Sequence, residues 1–305
     1  MKRISAVFIF CTLAFAGFAQ NPSQTTGNQK SLLWKISGNG LKKPSYLFGT
    51  IHMLCEEDAV LSDSLKKAIR QCDDVYLEVQ MDNMLEMLSV ITQMKMNGDT
   101  TLADLLSKED YEKVKAYFEK SSSLLPFSVL ETFKPILAAS TLEGTSLPCG
   151  APVAMEELIM QEAKTDEKEI KGLETMSYQA GILDSIPYKI QAKQLVDYID
   201  SVKSGVDEAK EFDELLNAYK DQNLDKLEQL TKQSDIGMSN YADVLLYNRN
   251  RNWVKKLKTL LPEKSLMIAV GAGHLPGEKG VINLLRKEGY TVTPVKSKIA
   301  RTKVI

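Results

Sequence analysis

Each of the chain's two histidines closes a Gly-x-x-His segment at the end of a strand-like apolar run. The first run is Tyr46-Leu47-Phe48-Gly49-Thr50-Ile51-His52, and the second is Leu266-Met267-Ile268-Ala269-Val270-Gly271-Ala272-Gly273-His274. Imidazole is both a metal ligand and an acid/base near neutral pH. Two matched segments far apart in the chain point to one composite site. Glu78 is the candidate third member. It sits in Val75-Tyr76-Leu77-Glu78-Val79, where burial would demand a cationic partner, although strand alternation equally allows it to face water. Two imidazoles and one carboxylate with open positions suit a catalytic divalent ion, with His52, Glu78 and His274 as ligands.

Other side chains could complete the chemistry. On a helix expected from Ser239 to Leu261, four-residue steps pass through Tyr241, Leu245, Arg249, Trp253 and Leu257. The guanidinium thus falls in an apolar stripe. It could clamp a substrate carboxylate or a developing oxyanion, form a structural ion pair, or pack on Trp253. Asn250 beside it could orient substrate or be exposed. Glu174, in Gly172-Leu173-Glu174-Thr175, could accept a proton from water or complement a helix N-terminus. The acidic stretch Glu56-Glu57-Asp58 reads as a solvated loop. No His-Glu-x-x-His helix, nucleophile elbow, phosphate loop or dinucleotide fingerprint occurs.

The elements that must position these residues are strand-like toward the chain ends and helical between. Strands are expected at 32–37, 46–52, 75–79, 170–173, 266–271 and 291–295, with a helix near 62–71 linking His52 to Glu78. Amphipathic spacing predicts helices near 83–97, 108–120, 128–141, 153–163, 187–204, 207–220, 224–232, 239–261 and 280–288. The stripe Met84, Met87, Leu88, Ile91 and Met94 reads as a helix core or a helix–helix contact, with an adaptable binding face as the alternative. The fold class is therefore α/β: a central mixed, largely parallel sheet formed by the two chain ends, with a large helical insertion at about 83–262. Residues 31–305 are expected to form a single domain.

The net charge is -2, and no basic excess favours nucleic acid as a partner. Lys2 and Arg3, the apolar run 4–18 and the small residues Gly17 and Ala19 read as a secretory signal cleaved after residue 19, followed by a polar leader at 20–30. No second hydrophobic span follows. The expected location is periplasmic or secreted. Cleavage would leave Cys55, Cys72 and Cys149, which allow one disulfide and one free thiol.

In order along the chain, Leu47 to His52, Tyr76-Leu77-Glu78, Gly172 to Thr175 with Gln179, Arg249-Asn250, and Val270 to Gly277 with Gly280-Val281 and Leu284-Leu285 together resemble the TraB/GumN family, which includes the Tiki-type metalloproteases. The resemblance runs from about Leu33 to Val295. It implies a divalent-metal hydrolase site with His52, His274 and Glu78 as ligands and Mn²⁺, Co²⁺ or Zn²⁺ as the ion. It implies a peptide or protein substrate, with Glu78 or Glu174 accepting the water proton and Arg249 stabilising the oxyanion. Unlike membrane-tethered Tiki proteins, the sequence shows no transmembrane helix after the domain. The expectation is an exported metal-dependent hydrolase of the peptidase class. The alternative is a non-catalytic metal-, haem- or peptide-binding regulatory protein.

Overall fold

The computed structural model describes residues 30–121, 125–143, 152–204, 208–233 and 238–297. The signal-like run, most of the leader and Cys149 lie outside them. Within the described residues the strands are β1 (Leu33–Ser37), β2 (Ser45–Thr50), β3 (Leu54–Cys55), β4 (Asp74–Leu77), β5 (Pro152–Val153), β6 (Glu169–Gly172), β7 (Leu266–Gly271) and β8 (Thr291–Pro294). Six of them form one sheet in the order β6-β4-β7-β2-β1-β8, and β3 pairs with β5. The strands β6, β4, β7 and β2 run parallel, while β1 is antiparallel to both β2 and β8. The sheet is thus mixed and largely parallel, with helices around it, as the sequence predicts.

Burial explains the strand order. All of β4 and the residues Leu266 to Val270 of β7 are buried. A continuous apolar run suits a strand covered on both faces. Burying each such side chain fully contributes about 1.5–3 kcal/mol. The helix Asp63–Gln71 makes the crossover from β2 to β4. Ser62 caps it by accepting the Leu65 N–H at 3.2 Å, and Leu65, Ala68 and Ile69 form its buried face. A second apolar cluster, including Leu102, Val114, Phe118, Leu130, Leu195 and Ile199, lies among the helices and apart from the sheet core.

Three helices differ from their expected form. The one expected at 128–141 is two, Phe127–Leu130 and Pro135–Glu143, the second opening on Pro135. The expected helix at 239–261 opens with a 3-10 turn (Met238–Tyr241) and a π-turn (Asp243–Tyr247). It becomes α-helical at Asn248–Leu260. The wide turn ends just where Arg249 and Asn250, both buried, begin. Near residue 83 the α-helix spans only Met84–Ile91, followed by a 3-10 turn at Thr92–Met94. Its stripe is neither a helix core nor a helix–helix contact: Met84, Met87, Leu88 and Ile91 are exposed, and only Met94 packs against the helical cluster. The neighbouring helix Met176–Ile182 is held instead by Glu86, whose Oε1 accepts the Met176 N–H at 2.7 Å. Among the described residues no helix is long and apolar enough to cross a membrane.

Candidate functional site

The four parallel strands end side by side, and each delivers polar residues at or just beyond its last residue. Thr50 and His52 come from β2, Glu78 from β4, Glu174 from β6, and the turn Ala272–His274 from β7. Carboxyl ends of parallel strands are where α/β sheets place their sites. The β4–β6 ladder continues past the strands, with Leu173 N–H donating to Leu77 O at 2.8 Å and Glu174 N–H to Glu78 O at 2.9 Å. This sets the two glutamates side by side.

The leading glycine of each histidine motif allows a close approach. A Cβ on Gly49 would stand 2.8 Å from Leu275 Cδ1 and 3.1 Å from Ala272 Cα, so β2 can pack against the His274 turn only as glycine. A Cβ on Gly271 would stand 3.3 Å from Glu78 Oε1, beside the Gly271 N–H that donates to this same oxygen at 2.8 Å.

His274 is buried and locked. Its Nδ1 lies 2.6 Å from Asn250 Oδ1, while Asn250 Nδ2 donates to Lys279 O at 3.0 Å and to His274 O at 3.4 Å. The amide orientation is therefore fixed, Nδ1 carries the proton, and the lone pair falls on Nε2. That nitrogen lies 3.3 Å from Arg249 Nη1 and 3.7 Å from Glu78 Oε1. Burial pushes the imidazole pKa down to about 4 against the pull of the Glu78 charge, so the ring is neutral at neutral pH.

Glu78 is buried rather than facing water. Its Oε2 accepts from Arg249 Nη2 at 2.5 Å and from Gln179 Nε2 at 3.1 Å. Burial alone would raise its pKa. The His274 ring, the Arg249 charge and the Gly271 amide together hold it at about 2. With His274 itself driven neutral, Arg249 is the permanent cation of this group.

Arg249 has every N–H engaged. Nε and Nη2 donate to Glu174 Oε1 at 2.9 and 2.6 Å, Nη2 donates also to Glu78, and Nη1 meets Leu245 O at 3.0 Å as well as His274 Nε2. Glu174 Oε2 accepts the Trp253 Nε1–H at 2.9 Å. Burial raises the Glu174 pKa against the opposing pull of Arg249 and Trp253. The Trp253 ring also packs on both neighbours, 4.5 Å from the His274 ring and 4.8 Å from the guanidinium.

His52 makes a different pairing. Its side chain is 71% exposed, and its Nδ1 lies 3.0 Å from Glu156 Oε1. The hydrogen bond to Glu156 raises its pKa and outweighs the partial loss of solvent around the ring. The charges of Glu156 and Glu78 raise it further, and Arg249 opposes them, so His52 lies in the same electrostatic field as the buried group. Among the described residues, no three His, Cys, Asp or Glu side chains converge closely enough to hold a metal ion. The structure brings Glu78, Glu174, Arg249, Asn250 and His274 into direct contact and sets His52 at the same sheet edge with its own carboxylate. Asp58 of the acidic loop pairs with Lys220 at 2.7 Å, away from this cluster.

The donor types at the centre, an imidazole nitrogen and carboxylate oxygens, are ones that bind divalent ions. The cation they face is the Arg249 guanidinium, whose Nη1 stands 3.3 Å from His274 Nε2 and whose Nη2 bonds Glu78 and Glu174. Beside His52, Glu156 carries a buried oxygen, Oε2, with no hydrogen-bond partner among the described residues. Sequence reasoning missed Glu156 altogether and read Trp253 only as a packing surface. Glu156 lies in the first turn of the helix Met155–Thr165, where two acidic residues read as ordinary dipole complements.

Comparison with known proteins adds the lineage. The TraB/PrgY/gumN family profile matches residues 32–294. The chain is 23% identical to metalloprotease TIKI2 of Danio rerio over 90% of this chain and 63% of the relative, and 24% identical to metalloprotease TIKI1 of Danio rerio over 91% of this chain and 65% of the relative. It thus spans less than two thirds of these metalloproteases. It is also 25% identical to the uncharacterized protein YbaP of Shigella flexneri, over 79% of this chain and 88% of that one. No solved structure matches the chain.

Proposed function

The chain belongs to the TraB/PrgY/gumN family, and from that membership and its site we propose that it is a metal-dependent hydrolase of the peptidase class. The observation that carries this reading is the buried His274–Glu78 pair. A neutral Nε2 and an ionised carboxylate oxygen stand 3.7 Å apart, each held from behind by another side chain or amide, and an ion bound there would take the place of the Arg249 Nη1 contact, now 3.3 Å from Nε2. Nitrogen and carboxylate donors of this kind suit Zn²⁺, Mn²⁺ or Co²⁺. His274, Glu78 and His52 would hold the ion, which when bound supplies Lewis acidity and a more acidic water.

The remaining groups prepare these ligands. Asn250 fixes the His274 tautomer, and Gln179 and the Gly271 amide orient Glu78. Glu174, its pKa raised by burial, suits a proton acceptor for water. Arg249 keeps Glu78 ionised. Because its donors are engaged, it would act on a developing oxyanion through the field of its charge. The metalloprotease names of the relatives support a peptide or protein substrate. Export to an oxidising compartment is supported by the signal-like run and by Cys55, which is disulfide-bonded while Cys72 is a buried free thiol.

Metal analysis and peptide-library cleavage, comparing wild type with His274→Ala, test the reading. The wild type is expected to retain a divalent ion and cleave, and the variant to lose both. Equal metal content and equal cleavage in the two proteins would overturn it.

A further inference from the structure

Glu156 lies outside the residues to which the hydrolase reading gives a role, yet it contacts one of them. It is carried by the first turn of the helix Met155–Thr165, immediately after β5, and its side chain is 7% exposed. One oxygen makes both of its side-chain contacts. Oε1 accepts the Thr50 hydroxyl at 2.5 Å and lies 3.0 Å from His52 Nδ1. The other, Oε2, is buried without a hydrogen-bond partner among the described residues.

The arrangement at the other histidine supplies the comparison. There Asn250, in the first turn of the helix Asn248–Leu260, holds His274 by Nδ1 and leaves the lone pair on Nε2. Glu156 stands to His52 as Asn250 stands to His274: an oxygen acceptor from the first turn of a helix, placed against Nδ1 of a Gly-x-x-His imidazole. Partners that fix the tautomer of a ligating histidine are the usual outer layer of metal sites.

We propose that Glu156 is a positioning residue of the site, fixing His52 as the Nδ1–H tautomer so that its lone pair is carried by Nε2. Thr50 braces the carboxylate, and both motifs then present the same ring nitrogen. The consequence for metal affinity rests on the hydrolase reading, whereas the tautomer does not.

The full chain labelled with ¹⁵N-histidine and freed of metal by a chelator tests this. Two-bond proton–nitrogen correlation at about pH 9, where unperturbed imidazoles are neutral, shows which ring nitrogen carries the proton. Having only two histidines makes assignment possible with His274→Gln. Wild-type His52 is expected as Nδ1–H. Glu156→Leu is expected to lose that preference, and Glu156→Gln, which keeps an acceptor oxygen, to restore it. A wild-type His52 protonated on Nε2 overturns the proposal whether or not the variants fold, as does a tautomer unchanged in Glu156→Leu. Binding of Zn²⁺, Mn²⁺ and Co²⁺ by equilibrium dialysis is the second readout, with affinity expected to fall about 10–100-fold in Glu156→Leu. Unchanged affinity in Glu156→Leu, with a wild type that binds one of these ions, overturns the positioning role. A wild type with the expected tautomer that binds none of Zn²⁺, Mn²⁺ and Co²⁺ sinks the hydrolase reading and supports the role of Glu156.

Discussion

His52 and His274 close the same short pattern at the ends of the adjacent parallel strands β2 and β7, yet their surroundings are opposite. The His274 side chain is 6% exposed and sits against Trp253, Arg249 and Glu78. The His52 side chain is 71% exposed and is tied to a single carboxylate. Burial therefore governs the first ring and pushes its pKa down, whereas a hydrogen bond governs the second and pushes its pKa up. One motif can thus build a buried, neutral donor and an exposed, more basic one, depending on what the rest of the chain packs around it. The locked half should dominate stability, and the exposed half should be adjustable at little cost.

The largest expected effect lies in the locked half. Arg249→Ala leaves Glu78 and Glu174 buried side by side without their shared cation. Removing one partner from a buried charge cluster costs about 3–5 kcal/mol. Urea denaturation at neutral pH measures it, and a loss near 0.5 kcal/mol, typical of a surface change, would show that the buried group is not the anchor it resembles.

Acid should weaken the same half. The folded pKa of His274 is about 4, below the value of about 6.5 in an unfolded chain. Between these two pH values the unfolded state binds the extra proton, so stability falls as pH drops through that window. The His274 contribution is on the order of 3 kcal/mol. Comparing unfolding midpoints at about pH 6.5 and pH 4 for wild type and His274→Gln isolates it. Parallel pH curves for the two proteins would refute the assignment of that slope to His274.

Asn250→Ala comes next. It strips the acceptor from His274 Nδ1 and the donor from Lys279 O. Leaving a buried donor unpaired costs about 1–3 kcal/mol. Thermal unfolding measures the loss, and an unchanged midpoint would mean that the ring is not held through Nδ1.

The sequence made the locked half legible for physical reasons. An arginine in the stripe Leu245, Arg249, Trp253 had to find anions, and a glutamate following Val75-Tyr76-Leu77 had to be either neutralised or exposed. The parallel run of buried strands was legible in the same way, from unbroken apolar segments such as Leu266 to Val270. The insertion of β7 between β4 and β2 was not, because pairing order depends on contacts between residues 192 positions apart for β4 and 221 for β2. Glu156 was invisible for a related reason. It lies 104 residues beyond His52, and its acidic turn looks like any helix start. The exposure of Met84, Met87 and Leu88 was hidden too, since the spacing of apolar residues defines a face without saying what covers it.

The smallest effect should come from His52. Its ring has water on most of its surface, so His52→Ala opens Glu156 Oε1 to solvent rather than stranding it beside Thr50. Exposed ion pairs contribute about 0.2–1 kcal/mol, and the loss should fall in that range. The raised pKa gives its pH dependence the opposite sign to that of His274. The folded state holds the His52 proton more tightly, so the contribution is fully present below about pH 6.5. It fades as pH rises through the raised folded value. The wild-type advantage over His52→Ala should therefore shrink on going alkaline, while the advantage over His274→Gln shrinks on going acid. A His52→Ala loss of about 3 kcal/mol, the size expected for a buried partner, would erase the contrast, because both histidines would then be structural anchors of one rigid site.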